Sequence, residues 1–188
     1  MRKRSLWSVL VTTAVLAIVG TAAAAKYKGT EGDDVIIGSP SADVVLSLAG
    51  NDTVDSEGGD DKVHAGPGND QVIAGGGNDA VRGGDGDDVI TGGPGDDVLR
   101  GNPGNDTING GDGNDVIWVG SGADVQHGGP GNDRMHALAN DGQTDRLDCG
   151  PGEDVATVNK NEKEALIDCE RVIEKVPTPA EAAQDDNS

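Results

Sequence analysis

A period of nine residues runs without a gap from Gly29 to His136 and limits what this chain can fold into. The 108 residues of this stretch divide into twelve units. When each unit is numbered from 1 to 9 starting at Gly29, position 6 is Asp in all twelve, position 4 is Gly in eleven and position 8 is Ile, Val or Leu in ten. So strict a repeat of one small unit predicts a stacked solenoid rather than a conventional core.

The composition also argues against a conventional core. The 188 residues include 31 Gly, two Trp, one Tyr and no Phe, so few large apolar side chains are present. Positions 1 to 6 are typical of a glycine turn, and positions 7 to 9 predict a short strand that directs position 8 inward. Two units then form one coil of 18 residues, and six coils stacked about 4.8 Å apart form a rod roughly 29 Å long. We expect an all-β fold of two parallel sheets with a thin interior.

The Asp at position 6 is the candidate metal ligand. Rows of Asp one coil apart repel each other, and the thin interior is too small to offset the entropy of ordering the chain. Calcium addresses both problems, because it takes six to eight oxygen ligands from carboxylates and backbone carbonyls together. Twelve units paired two apart allow at most ten sites between coils. The alternative is a solvated acidic face without ions. The twelve candidates are Asp34, Asp43, Asp52, Asp61, Asp70, Asp79, Asp88, Asp97, Asp106, Asp115, Asp124 and Asp133.

The unit "GGDGDDVIT" and its neighbours resemble the nonapeptide GGxGxDxUx of the RTX, or haemolysin-type, calcium-binding repeat family. The resemblance covers residues 29–136 well and residues 140–157 loosely. It implies a right-handed parallel β-roll with two nonapeptides per coil and calcium between coils. The unit "GSPSADVVL" lacks Gly at position 4 and "SLAGNDTVD" lacks the glycine pair, so calcium binding by the first coils is in doubt, and the sites built from Asp70 to Asp115 match the family pattern best.

The segments that flank the repeat have other compositions. Residues 1–25 have the basic, apolar and small-residue parts of a secretory signal peptide, with cleavage expected after Ala25; an uncleaved membrane anchor is the alternative. The roll is expected over 26–157, with a three-residue slip at 137–139. A strand is expected near 155–158, and a C-terminal cap is expected over 158–176, with a helix or strand through 165–176. A disordered tail is expected over 177–188.

Two cysteines, Cys149 and Cys169, are expected to form a disulfide, because paired cysteines in an exported chain are oxidised. The bridge then ties the cap to the roll. A zinc site is the alternative, but it would need His64, His127 and His136, which lie on scattered units.

The two sheets are expected to differ in charge. Within the twelve units, the even-numbered ones carry all four bases at the outward positions 7 and 9: Lys62, Arg82, Arg100 and Arg134. Together with Trp118, this row is a candidate surface for an anionic glycan, and the alternative is a set of charges that keeps an exposed sheet soluble. Ice binding by the odd sheet would need a Thr lattice, and only Thr53, Thr91 and Thr107 are present.

The formal charge of −20, or −23 once residues 1–25 are removed, disfavours nucleic acid and anionic membranes as partners and favours cations. No nucleophile elbow, zinc-protease helix or phosphate loop occurs, so we expect no enzyme. The leading hypothesis is an exported, stand-alone calcium-binding β-roll that works outside the cell. The alternative is a calcium-rigidified adhesive or cell-surface matrix module that binds an anionic glycan through the even sheet.

Overall fold

The computed structural model describes residues 14–17, 24–161 and 164–178, which form an all-β parallel solenoid of two nine-stranded sheets without a helix. The odd sheet contains β1 (Ala14–Ala17), β3 (Asp34–Ser39), β5 (Thr53–Glu57), β7 (Gln71–Ile73), β9 (Val89–Pro94), β11 (Thr107–Asp112), β13 (Val125–His127), β15 (Arg146–Asp148) and β17 (Ala165–Ile167). The even sheet contains β2 (Lys26–Lys28), β4 (Val44–Leu46), β6 (Lys62–His64), β8 (Ala80–Arg82), β10 (Val98–Arg100), β12 (Val116–Trp118), β14 (Arg134–Ala137), β16 (Val155–Asn159) and β18 (Arg171–Lys175). The predicted fold class is confirmed.

Strand pairing confirms that one coil contains two nonapeptides. Val98 pairs with Val116, and Thr107 pairs with Val125, each 18 residues further along the chain. The predicted slip of three residues also occurs, because Arg134 pairs with Val155, 21 residues on. The insertion at 137–139 is therefore accommodated within one coil, and both sheets continue beyond it in the same order.

The interior is formed by position 8, as its single aliphatic residue predicts. In each three-residue strand from β2 to β15 the middle side chain is buried and its neighbours are more exposed, as in Lys62, Val63 and His64. The buried row is Ile36, Val45, Val54, Val63, Val72, Val81, Ile90, Leu99, Ile108, Ile117, Gln126 and Met135, followed by Leu147 and Ala156. Gln126 is the polar exception, and neither its Nε2 nor its Oε1 has a hydrogen-bond partner.

The turns need glycine because adjacent coils approach closely there. Gly84 and Gly86, at positions 2 and 4 of their unit, have φ values of +138° and +127°, which L side chains rarely adopt. A Cβ on either residue would overlap the carbonyl oxygen of its counterpart one coil earlier, Gly66 or Gly68. Glycine at these two positions therefore brings backbone oxygens of successive turns into close stacks.

Most of the predicted signal peptide lies outside the described residues. Its apolar segment Ala14–Ala17 forms β1, which pairs in parallel with β3. At the other end, the segment expected to be a helix or strand forms two strands, β17 and β18, one in each sheet. The predicted tail lies outside the described residues from 179 onward. Among the described residues, no helix is long and apolar enough to cross a membrane.

The predicted disulfide joins Cys149 to Cys169, with a Cα–Cα distance of 5.1 Å. Cys149 follows β15, and Cys169 lies in the short connection between β17 and β18. The bridge therefore links consecutive coils at the C-terminal end of the solenoid. This link holds the last two strands, which have no glycine turn of their own, against the regular coils.

Candidate metal centres

All twelve Asp residues at position 6 lie inside the solenoid, directly before the strand of their unit or, for Asp34, at its first residue, and none exposes more than 2% of its surface. Their carboxylates form two ladders parallel to the long axis. Each rung of a ladder is a hydrogen bond between two Asp residues of adjacent coils. Oδ1 of the later Asp accepts the backbone N–H of the Asp 18 residues earlier; the Asp70 N–H, for example, donates to Asp88 Oδ1 over 2.8 Å. Ten such rungs connect the twelve units, all 2.7 or 2.8 Å long.

In the Asp residues that accept these hydrogen bonds, the second carboxylate oxygen is buried and has no hydrogen-bond donor. Oδ2 has no hydrogen-bond partner in Asp52, Asp61, Asp70, Asp79, Asp88, Asp97, Asp106, Asp115, Asp124 and Asp133. A buried carboxylate oxygen without a donor or counter-ion is unfavourable, because the interior does not replace the water that the charge loses. Ten such oxygens are stacked in register with no compensating charge, and a cation at each rung would neutralise them.

The first two carboxylates differ. The backbone N–H and the hydroxyl of Ser39 donate to Asp43 Oδ2 over 2.8 and 2.9 Å, and Thr30 donates to Asp34 Oδ2 in the same way. Both donors occupy position 2, where most later units have glycine. In the first coil these donors occupy the oxygens that a cation would use, and whether the first coils bind calcium stays a prediction.

The pKa values reflect the missing counter-charge. Burial, with a smaller contribution from neighbouring carboxylates, raises the pKa of Asp88 and Asp124 to about 8. Backbone N–H donation to Oδ1 acts in the opposite direction but is the smaller effect. Burial similarly raises the pKa to about 7 for Asp97, Asp106 and Asp133, and to about 6 for Asp61, Asp70 and Asp115.

Backbone oxygens supplement the carboxylates. Gly92 lies between the Asp97 carboxylate and the Gly110 carbonyl, and a methyl group on Gly92 would collide with both. Gly110 lies in the same way between Asp115 and the Gly128 carbonyl. In the part of the chain that the structure describes, no three Asp, Glu, His or Cys side chains form a metal cluster. A cation at a rung could draw on these backbone carbonyls as well as on the carboxylates, and such a mixed set of oxygens suits Ca²⁺.

Four acidic residues beyond the twelve continue the ladders. Asp124 N–H donates to Asp145 Oδ1 and Asp133 N–H donates to Asp154 Oδ1, across the 21-residue step. Glu164 and Glu170 then accept from the N–H groups of Asp145 and Asp154 over 2.7 and 2.9 Å. The nine-residue period indicated Asp145 and Asp154, but it missed both glutamates. Their signal in the sequence is only that an acidic residue directly precedes a short strand.

A second, exposed ladder uses position 5 and explains its preference for Asp or Asn. Here the side chain accepts from the backbone N–H of its counterpart one coil later, so the donation runs opposite to that at position 6. Asp96 Oδ1, for example, accepts the N–H and the side-chain amide of Asn114 over 2.8 and 3.0 Å, which lowers the pKa of Asp96. Because this ladder is solvated and already supplied with donors, it is an inter-coil hydrogen-bond network rather than a metal site.

The outer face of the even sheet carries the predicted row of bases. Lys62, His64, Arg82 and Arg100 line a cavity of about 250 Å³. Among the described residues, neither Lys62 nor Arg82 has a carboxylate oxygen within 4.0 Å. Burial and the Arg82 charge lower the pKa of His64, so the positive charge at neutral pH comes from Lys and Arg.

Trp118 lies between its neighbours in the adjacent coils. The Arg100 Cζ is 4.4 Å from the centroid of the indole, and the His136 ring is stacked on it with centroids 5.1 Å apart. Arg100 belongs to the coil before Trp118 and His136 to the coil after it, so both indole faces are covered. The indole therefore holds Arg100 in place and offers no open face for stacking.

The family model for the RTX calcium-binding nonapeptide repeat (4 copies) matches residues 20–54, 28–63, 55–90, 64–99 and 91–126. A search of curated proteins found no match. The matched segments cover more than half of the chain, and they include nine of the ten Asp rungs whose Oδ2 lacks a donor. Together with the two-nonapeptide coil and the buried Asp ladders, this match shows that the chain belongs to the family of RTX calcium-binding nonapeptide repeat proteins.

Proposed function

We propose that this chain is an exported calcium-binding protein whose β-roll folds on Ca²⁺ held between successive coils, at the rungs of the two position 6 ladders. The observation that carries the proposal is the row of ten buried Asp Oδ2 atoms without donors. The carboxylates of Asp34 to Asp133 supply charge, and carbonyl oxygens of the glycine turns complete each ligand set. The role is binding rather than catalysis.

Charge balance supports the same proposal. The twelve units contain 21 acids and four bases, a formal charge of −17, and one Ca²⁺ at each of ten rungs would contribute about +20. Without cations the ladders concentrate like charges in a thin interior that cannot stabilise them. The chain then expands, and calcium binding becomes the step that folds it.

Two features support export to an oxidising, calcium-containing space. Residues 1–25 have the composition of a secretory signal peptide, and the Cys149–Cys169 bridge is of a kind that forms and persists outside the cytoplasm. We therefore place the protein outside the cell.

Calcium titration followed by circular dichroism and equilibrium dialysis tests the proposal. The calcium-stripped protein is expected to show a coil spectrum at neutral pH and to gain strand signal as calcium is added. An unchanged strand spectrum in excess chelator at neutral pH would refute calcium-dependent folding.

A matched pair of neighbouring substitutions tests the ladder itself. Asp88→Asn keeps an oxygen for the Asp70 N–H but replaces Oδ2, whereas Asp87→Asn makes the same change at the exposed position 5. Asp88→Asn is expected to lose one to two equivalents of bound calcium, because Asp88 belongs to two rungs, with Asp70 and Asp106. Asp87→Asn should titrate like the unchanged protein. Equal calcium binding by both variants would exclude position 6 as the ligand.

A second candidate function uses the even sheet: a calcium-rigidified module that binds an anionic glycan. The observation that favours it is the basic cavity formed by Lys62, Arg82 and Arg100, on a chain whose formal charge is −20. Replacing Arg82 and Arg100 by Ser should abolish retention on an acidic polysaccharide column in calcium buffer. Arg146→Ser, on the odd sheet, is the control for charge and should be retained. Equal retention of the unchanged protein and of both variants would exclude glycan binding through the even sheet.

A further inference from the structure

The C-terminal end of the even-sheet ladder brings together two carboxylates from outside the family match. Asp154 belongs to the degenerate unit "CGPGEDVAT", and Glu170 lies in the connection before β18. The Asp154 N–H donates to Glu170 Oε2 over 2.9 Å, so Glu170 takes the place that the next Asp would have in a regular coil. The connection that holds Glu170 has no glycine pair.

Asp154 is fully buried, and only one of its oxygens is satisfied. Oδ1 accepts the Asp133 N–H over 2.8 Å, whereas Oδ2 has no hydrogen-bond donor. The Glu170 carboxylate is near enough to add to the effect of burial in raising the pKa of Asp154. The two carboxyls face each other at the end of the ladder and are joined by a side-chain hydrogen bond when Asp154 is protonated, so a cation there would take the place of that proton.

These side chains line a cavity whose one base, Arg171, makes no ion pair within the part of the chain that the structure describes. The cavity has a volume of about 360 Å³ and is lined by Glu153, Asp154, Val155, Glu170 and Arg171. Arg171 is exposed, and among the described residues none of its nitrogens lies within 4.0 Å of a carboxylate oxygen. The cavity is thus large enough for a hydrated ion, and its carboxylates have no counter-charge in contact.

We infer that Asp154 and Glu170 form a terminal divalent-cation site, distinct from the nonapeptide sites and bounded on one side by a glutamate. Asp154 supplies a buried carboxylate oxygen and the exposed Glu170 supplies oxygens that are open to water, a combination that suits a partly hydrated Ca²⁺. The inference rests on the proposed function for the identity of the ion.

The disulfide places Glu170 for this role. Cys169 directly precedes Glu170, and Cys149 is the first residue of the unit that contains Asp154. The bridge therefore keeps the two carboxylates on opposing coils, where the repeat no longer specifies their register. In the regular coils the glycine turns do this without a covalent link.

A crystal of the calcium-bound full chain tests the site directly. An anomalous difference map recorded at long wavelength is expected to show a peak between Asp154 and Glu170, in addition to peaks at the repeat turns. The peak should be absent in Glu170→Gln and present in Glu174→Gln, which removes an exposed acid of the strand that follows Glu170, β18. In solution, Glu170→Gln should bind one equivalent of calcium fewer in equilibrium dialysis, and Glu174→Gln should bind the full number.

The outcomes separate this inference from the proposed function. Peaks at the repeat turns with none between Asp154 and Glu170 would overturn the terminal site and leave the ladder sites intact. A terminal peak that persists in Glu170→Gln would also overturn the assignment of Glu170 as a ligand. Absence of peaks from the whole solenoid would overturn the proposed function together with the inference.

Discussion

Protons and calcium compete for the same buried oxygens, so removing calcium should reverse the pH dependence of folding. In the calcium-free protein, burial raises the pKa of Asp88 and Asp124 to about 8, whereas an Asp carboxyl of ordinary environment has a pKa of 3.8. Each therefore binds a proton in the folded state at a pH where the unfolded chain has released it. Their contribution to stability is present below pH 4 and is lost as the pH rises toward 8.

The size of the effect follows from these two residues alone. Between pH 5 and pH 7 the folded chain holds two protons that the unfolded chain lacks, so the unfolding free energy should fall by about 3 kcal/mol for each unit of rising pH. The other raised carboxylates of the ladders add to this slope. With calcium bound the slope should have the opposite sign, because ligand carboxylates must be deprotonated.

Circular dichroism of the calcium-stripped protein from pH 4 to pH 8 measures the loss of strand signal, and urea unfolding gives the midpoint at each pH where strand signal persists. The midpoint is expected to fall with rising pH without calcium and to rise with pH in saturating calcium. The Asp88→Asn, Asp124→Asn double variant should lose about 3 kcal/mol per pH unit of the calcium-free slope, because amides do not titrate. A calcium-free protein that is more stable at pH 8 than at pH 5 would refute the reasoning.

Three further predictions concern packing and cross-links in the calcium-bound protein, each measured by urea unfolding. Gln126→Met should raise the unfolding free energy by about 1–3 kcal/mol, because it removes two buried polar atoms without partners and keeps the side-chain shape; no gain would imply that the amide is hydrated. Gly84→Ala should lower the unfolding free energy by about 1–3 kcal/mol, because φ is +138° and the new Cβ would meet a carbonyl oxygen. Gly76→Ala is the control: no atom lies within 4 Å of its Cβ, so the unfolding free energy should change by less than about 0.5 kcal/mol. Reducing the Cys149–Cys169 bridge should cost about 3 kcal/mol, and equal midpoints with and without reductant would contradict this.

Much of the fold could be predicted from the sequence because the repeat makes every coil a copy of the last. The single aliphatic residue at position 8 predicted a core to which each unit contributes one side chain, and Leu99 and Ile108 are buried in it as expected. The spacing of Asp145 and Asp154 predicted the three-residue slip, which the strand register confirms. In a solenoid these properties are local, since each residue meets mainly its counterpart one coil away.

The ends and the outer faces could not be predicted in this way. Glu164 and Glu170 complete the ladders at separations of 19 and 16 residues, which no nine-residue period contains. The sandwich of Trp118 between Arg100 and His136 depends on side chains that differ from coil to coil. The opposite directions of the position 5 and position 6 ladders could not be predicted either, because an Asp side chain can accept a backbone N–H from the coil before it or from the coil after it.

The sequence by itself determined the period, the buried side of each strand, the pairing of the cysteines and the column of acids that points to calcium. Only the tertiary structure decided which oxygen of each Asp is satisfied by the backbone and which is left for a cation. The physical reason is that periodicity specifies which residues stack, whereas hydrogen-bond direction and the closure of the final coil depend on how neighbouring backbones are oriented in space.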